Sequence, residues 1–235
     1  SGRAVETYSI EKNDAIWSAR NLRPNEFGGL TSNIFLEGRY LGEISLPIPG
    51  RHNMSNAVGA LAVAMRAGVD FNRAASAIQN FSGITRHFEI IGEPLVHKKT
   101  ITIIDDYAHH PTEVRATVSA VKQKYGKRRL VACFQPHTFS RSEYLLEQWR
   151  HCFETIDELF ILSTYPARET PDAGIDAKQL SSEISSPQPI NLESLDIAAK
   201  KIAAKLEPGD IFLTLGAGDI TNLGPAVMEL LEATK

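Results

Sequence analysis

The stretch TITIIDDYAHHP (residues 100–111) decides the fold class. It opens as an almost unbroken β-branched run from Thr100 to Ile104. A run apolar on both faces suits a strand inside a parallel sheet covered by helices. It then breaks into Asp105, Asp106, Tyr107, His109 and His110 ahead of Pro111. Ligands of open α/β sheets bind beyond the carboxyl ends of the strands. Two unpaired carboxylates buried there would cost on the order of several kcal/mol, so the break marks a place built for polar work.

Outward from this segment the same alternation continues. Leu130 to Phe134, Leu159 to Leu162 and Ile211 to Leu215 are further apolar runs, and Phe88, Ile90 and Ile91 make another strand candidate. Helical patterns lie between them: Thr112 to Tyr125, Ser142 to Ile156 and Asp196 to Leu206, with a last helix from Leu223 to Thr234. This is the βαβ signature, and residues 83–235 are expected to form one mostly parallel sheet covered by helices. Ser181 to Pro189 is the most loop-like interior stretch.

Residues 1–82 read differently, as a small partial α/β segment. Thr31 to Leu36 and Glu43 to Ile48 alternate apolar and polar residues, which predicts an antiparallel pair. An alanine-rich helix should follow Gly50, capped by Asn53 or Ser55 and stopped by Gly68. A second short helix is expected from about Asn72 to Phe81. The alanine helix needs a sheet to pack on, and one hairpin supplies little. The piece therefore reads as the remnant of a domain cut through its middle.

Composition narrows the classes. The 235 residues carry a formal net charge of -3, with 43% apolar and 23% charged residues. That favours a folded chain with no general attraction to nucleic acid or to anionic membrane. The basic stretch Lys122 to Arg129 reads as a solvated helix end and turn. Cys133 and Cys152 lie in apolar segments without CxxC spacing, as buried free thiols in a reducing cytoplasm do. No run is long enough to cross a bilayer, and no signal peptide is visible. The opening Ser1-Gly2 has the look of a tag-cleavage scar.

Three other strand ends break from apolar to polar. In QPHTFSR (135–141), His137 and Arg141 stand four residues apart. If a helix begins near Thr138, both side chains point toward one ligand, and arginine offers a planar fork for a carboxylate. In YPARE (165–169), Arg168 and Glu169 form a surface pair or join the site. In GAGD (216–219), the glycines permit close backbone approach and Asp219 caps the final helix. His110 could cap the helix that Pro111 opens. A zinc site of Asp106, His109 and His137 has only generic spacing. His52 and Asn53 stand at a helix start, and Arg86 at the junction between the two pieces. GxxxxGK[ST] does not occur in the chain, so no phosphate cradle of that type is present.

PGRHNMSNAVGALAVA (49–64), FSGITRHFE (81–89), DDYAHHPTEVRAT (105–117), FQPHTFSR (134–141), TYPARE (164–169) and LGAGDI (215–220) together resemble the Mur ligase family, most closely its alanine-adding branch. The resemblance covers nearly the whole chain in family order. It implies the end of an ATP-binding central domain in residues 1–82 and a Rossmann-like, amino-acid-binding C-terminal domain in residues 83–235. It also implies ATP and Mg2+ as cofactors, UDP-N-acetylmuramate and L-alanine as substrates, and a role in cell-wall synthesis. By the same resemblance, His52, Asn53, Arg86 and Asp106 face ATP. Tyr107, His109, His137 and Arg141 line the amino-acid pocket. The family usually has Arg-Arg-Phe where Arg86-His87-Phe88 stands here. Without a P-loop or a UDP-binding domain, the chain alone is expected to be inactive. Two alternatives remain: a relative that attaches a preformed murein tripeptide, and a binding or regulatory module that kept the fold.

Overall fold

The computed structural model describes residues 5–233, so Ser1-Gly2 and the Thr234 end of the last expected helix lie outside it. The chain divides into two compact units. The first runs through Gly83 and takes in Ser119–Lys124; the second comprises Ile84–Val118 and the chain from Tyr125 onward.

The first unit holds a four-stranded sheet in the order β1 (Tyr8–Ser9), β2 (Trp17–Pro24), β3 (Leu30–Leu36), β4 (Arg39–Leu46). β1 and β2 are parallel, and the other pairs are antiparallel. Helices α1 (Arg51–Arg66) and α2 (Phe71–Gln79) follow. The expected hairpin is β3–β4, but the unit does not lack a core of its own. Trp17, Ile34, Ile44, Met54, Val58 and Leu61 are all buried in one cluster. The expectation failed because Trp17, Ala19 and Leu22 of β2 are separated by Ser18, Arg20 and Asn21 and do not read as an apolar run. Its pairing with β3 is also irregular between Arg20 and Arg23.

Helix starts in this unit depart from the expected caps. Gly50, at φ 104°, occupies the N-cap position of α1, and no side chain caps it. Asn53 reaches backward instead, its Nδ2 donating to the Pro49 carbonyl at 2.8 Å. Asp70 does cap α2, accepting from the backbone N–H of Asn72 and Arg73.

The second unit opens with β5 (Glu89–Gly92), the small β6–β7 hairpin (Leu95–Val96, Lys99–Thr100) and β8 (Thr102–Asp106). Then come α3 (Pro111–Tyr125), of which Ser119–Lys124 counts with the first unit, β9 (Leu130–Phe134), α4 (Phe139–Tyr144), α5 (Leu146–Trp149) and β10 (Glu158–Leu162). The chain ends with α6 (Ala177–Glu183), β11 (Ile190–Leu192), α7 (Leu195–Lys205), β12 (Ile211–Leu215) and α8 (Leu223–Ala233). The main sheet has the order β11-β10-β9-β12-β8-β5, and every neighbouring pair but β8–β5 is parallel. β12, the last strand in the chain, inserts between β9 and β8. The carboxyl ends of β8, β12 and β9 thus lie side by side where the strand order reverses, the usual place for a ligand. Ile103, Val131, Phe160, Phe212, Ile202 and Val227 belong to the core beneath.

Two expectations fail in this unit. The single helix from Ser142 to Ile156 is two short helices parted at Leu145. The helical spacing of the apolar residues survives the break because Trp149 and Phe153 turn inward, with ring centroids 4.8 and 5.3 Å from that of Phe134. The loop-like stretch from Ser181 contains the end of α6. That helix starts with a capping box between Asp176 and Gln179, a signal readable from the sequence.

The basic stretch before β9 is only partly solvated. Arg128 donates from Nε to the Gly209 carbonyl at 2.7 Å, and from Nη2 to the carbonyls of Asp210 and Thr100 at 2.8 and 3.1 Å. Arg129 pairs with Asp210 at 2.8 Å and with Glu158 at 2.5 Å. The two arginines fasten the amino ends of β8, β9 and β12. Cys133 and Cys152 are buried free thiols, as expected. Among the described residues no helix is long and apolar enough to cross a membrane. Replacing Arg128 by alanine leaves three carbonyls without their charged donor. Urea denaturation should show a loss of about 1.5–3 kcal/mol, and lysine, which lacks the fork, should restore less than half of it.

Candidate active site

The two aspartates that end β8 point to opposite faces of the sheet, as successive strand residues must. Asp105 is fully buried. Its Oδ1 accepts from the Thr214 hydroxyl at 2.5 Å, and its Oδ2 from the Thr221 hydroxyl at 3.0 Å and Arg86 Nε at 3.1 Å. Arg86 Nη2 goes on to the Gly216 carbonyl at 2.7 Å. One carboxylate therefore ties together the end of β12, the turn after it and the turn that precedes β5.

Asp106 takes a different set of donors. Its two oxygens accept from the backbone N–H of Ala108 and Phe88, both at 2.8 Å. Burial pushes this carboxyl above its ordinary value, against the downward pull of those N–H groups, of the His87 charge and of the Thr117 hydroxyl. Its immediate work is to hold the backbone on either side. The main chain is stitched further by Tyr107 N–H to the Arg86 carbonyl at 2.7 Å and Gly216 N–H to the Asp106 carbonyl at 3.1 Å.

On this platform stands a row of rings. Arg86 Cζ lies 4.9 Å from the centroid of Tyr107. Tyr107 meets His109 edge-on at 5.1 Å, and His109 lies 5.7 Å from His137. His137 stacks on Tyr165 at 5.6 Å with 15° between planes. Arg141, in the first turn of α4, donates from Nη1 to His137 Nδ1 at 3.2 Å. Burial lowers the basicity of His137 first, and the charges of Arg141 and His109 add to the effect.

The backbone around the row is constrained. Thr138, at the N-cap of α4, has φ 71°, and His137 bridges Tyr165 as in a parallel sheet. Gly218 faces Gln135 and Tyr165. A Cβ there would lie 2.4 Å from Gln135 Oε1 and 2.7 Å from the Tyr165 ring. Gln135 is held by Asp219 Oδ1, to which its Nε2 donates at 2.7 Å, and by the N–H of Ile220 at 3.2 Å. Asp219 thus belongs to the 3-10 turn before α8 and does not cap that helix. Glu169 accepts from Ser140, backbone and hydroxyl, and does not pair with Arg168. His110 does serve the start of α3, its Nδ1 accepting from Thr112 N–H at 3.2 Å.

Tyr107, His109, His137 and Arg141 are therefore brought together, with Arg86 at one end and Tyr165 at the other. Asp106, turned toward Phe88 and Ala108, does not join the two histidines. Among the described residues no group of three or more His, Cys, Asp or Glu could hold a metal ion, so the zinc reading falls. His52 and Asn53 lie in the first unit, in the opening turn of α1.

Residues 88–218 match the family described as "Mur ligase, glutamate ligase domain", more than half of the chain. This chain belongs to the Mur ligase family. It is similar to the UDP-N-acetylmuramate–L-alanine ligase of Desulforapulum autotrophicum, 41% identical over 81% of this chain and 42% of the relative. The chain spans about half the length of the curated relatives it matches. Its fold is similar to that of the Thermotoga maritima UDP-N-acetylmuramate-alanine ligase, with TM-score 0.80 and 23% identity over 98% of this chain and 48% of that one. A murein peptide ligase from Psychrobacter arcticus gives TM-score 0.64 and 24% identity over 96% of this chain and 46% of that one. These two likenesses speak to fold alone.

Sequence reasoning gave no separate role to Asp105, Gln135 or Tyr165 and passed over Thr214 and Thr221. The doubled aspartate was the readable signal: adjacent strand residues face opposite ways, so one had to point away from the histidines.

Asp105→Ala would leave the Arg86 guanidinium without its buried partner, and should destabilise the second unit by about 3–5 kcal/mol in urea unfolding. The double variant Asp105→Leu, Arg86→Met should recover part of that loss. A pH dependence follows from His137. Its lowered folded value means that the unfolded chain binds the proton more readily. Its contribution to stability is full above the unfolded value of about 6.5 and declines as pH falls toward the folded one. His137→Gln should flatten the stability profile between about pH 7 and 5; an unchanged slope would remove His137 as its source.

Proposed function

We propose that this chain carries the amino-acid-binding part of an ATP-dependent ligase that joins L-alanine to UDP-N-acetylmuramate in peptidoglycan precursor synthesis. The observation that carries the reading is the convergence of Arg141, His137 and His109 at the strand ends. An arginine fork suits a carboxylate, and Arg141 keeps Nη2 and Nε beyond its bond to His137. Resemblance to the alanine-adding ligases supplies the substrate names.

In the proposed reaction the γ-phosphoryl group of ATP passes to the muramoyl carboxylate. The alanine amine attacks the resulting acyl phosphate, and phosphate leaves as the amide forms. This chain's part is to bind and orient the amino acid and to keep water from the acyl phosphate. Arg141 holds the alanine carboxylate. Tyr107 and His137 wall the pocket, with Tyr165 bracing His137 from behind.

The resemblance assigns ATP contacts to His52 and Asn53 in the first unit, and to Arg86 and Asp106 in the second. Arg86 already commits Nε and Nη2 to Asp105 and Gly216, so Nη1 is what it offers a phosphate. Asp106 would act through the backbone it holds. The described residues do not by themselves fit a Mg2+ site, and none of the steps given to this chain runs through the metal.

Arg141→Ala in the ligase that carries this segment should raise the KM for L-alanine by about 10- to 150-fold, the equivalent of a charge-assisted hydrogen bond worth roughly 1.5–3 kcal/mol. The KM for ATP should stay within about threefold. If Arg141 merely braces α4, melting temperature falls while both KM values hold, and the pocket assignment fails. A preference for the preformed murein tripeptide over L-alanine in the same assay would move the protein to the peptide-ligase branch. The chain alone should release no phosphate from ATP when given UDP-N-acetylmuramate and L-alanine.

A further inference from the structure

The partners of the two imidazoles settle which of their nitrogens carries hydrogen. His109 Nδ1 lies 2.9 Å from the Tyr107 carbonyl. A carbonyl only accepts, so Nδ1 bears the hydrogen and Nε2 of the neutral ring holds a lone pair. His137 Nδ1 lies 3.2 Å from Arg141 Nη1. A guanidinium only donates, so His137 Nδ1 is the bare nitrogen and its Nε2 carries the hydrogen. Two rings 5.7 Å apart are thereby held in opposite tautomers.

We propose that His109, through Nε2, takes the proton from the incoming amino group, while His137 stays neutral and keeps Arg141 in place by accepting at Nδ1. The inference rests on the amino-acid reading of the site given above. An amino acid arrives as a zwitterion, and its ammonium has no lone pair to attack with. Transfer of one N–H proton to His109 Nε2 gives a free amine and an imidazolium whose Nδ1–H remains on the Tyr107 carbonyl. The amine lone pair forms the C–N bond to the acyl carbon, the C–O bond to phosphate breaks, and the second proton leaves with the phosphate. His137 cannot take this role. Its lone pair faces a permanent cation, and protonating it would set two positive charges against each other.

The charged and titratable groups around His109 fit the assignment. Glu113 of α3 has Oε2 3.7 Å from Nδ1 and also accepts from the backbone N–H of His109 and His110. It fixes the loop that carries the ring. His137 lies on the other side, Tyr107 packs edge-on, and Arg141 is reached only through His137.

Ring-nitrogen NMR of the histidine-labelled chain above pH 7 tests the first half without any enzymatic activity. The expected result is Nδ1–H for His109 and Nε2–H for His137. The same tautomer at both residues, or the reverse assignment, overturns the proposal. Kinetics of the ligase that carries this segment test the second half. His109→Gln should lower kcat by roughly 10²- to 10⁴-fold, the usual contribution of a positioned general base. It should abolish the acid limb of the pH–rate profile and change the KM for L-alanine only a few-fold. A retained acid limb, or a loss confined to KM, makes His109 a binding residue and refutes the proton transfer. Opposite tautomers in a protein whose parent shows no alanine-dependent turnover would count against the ligase reading and not against the ring assignment.

Discussion

The carboxylate of Asp105 is the constraint on which the second unit's functional face depends. A fully buried charge must be matched by donors, and here Thr214, Thr221 and Arg86 come from three separated parts of the chain to supply them. Each donor brings its own segment with it. Thr214 fixes the register of β12 against β8, Thr221 draws in the turn before α8, and Arg86 brings the turn that leads into β5. Arg86 also spans to the Gly216 carbonyl, so the carboxyl ends of two neighbouring strands are held by one ion pair. Such a pair is a poor source of net stability and a strict specifier of geometry.

Asp106 performs the complementary task on the opposite face of the same strand. By holding Ala108 N–H and Phe88 N–H it sets the direction in which the chain leaves β8. Tyr107 and His109 owe their places in the ring row to that turn. The row has two fixed ends: Arg86 over Tyr107, and Tyr165 stacked on His137 with Gly218 leaving room beside it. Side chains held at both ends need little reorganisation when a ligand arrives, which is the condition for orienting an amino acid against a reactive partner.

Much of this was legible in the sequence for simple reasons. β8, β9, β10 and β12 are runs apolar on both faces, and only a covered parallel sheet accommodates such runs. Their polar ends named the four segments that meet at the site. Other features were hidden. In β2 the apolar Trp17, Ala19 and Leu22 alternate unevenly with Ser18, Arg20 and Asn21, so it does not read as a core strand. The break at Leu145 keeps the helical spacing of the apolar residues, so periodicity cannot reveal it. Arg128 and Arg129 look like a solvated cluster because their partners are carbonyls and carboxylates far along the chain. Which of Asp105 and Asp106 faces inward depends on strand register, and register is set by the partner strand. The tautomers of His109 and His137 depend on single contacts that no sequence pattern encodes.

In the proposed function, the strand ends of the second unit bind an amino acid through its carboxylate, with Arg141 as the anchor. The most direct measurement is an NMR titration of the chain with L-alanine and, separately, with alaninamide, which keeps the amino group and lacks the carboxylate. L-Alanine should shift the side-chain signals of Arg141 and His137, and alaninamide should leave them nearly unmoved. Equal responses to both compounds, or shifts confined to residues away from Arg141, His137 and His109, would contradict it.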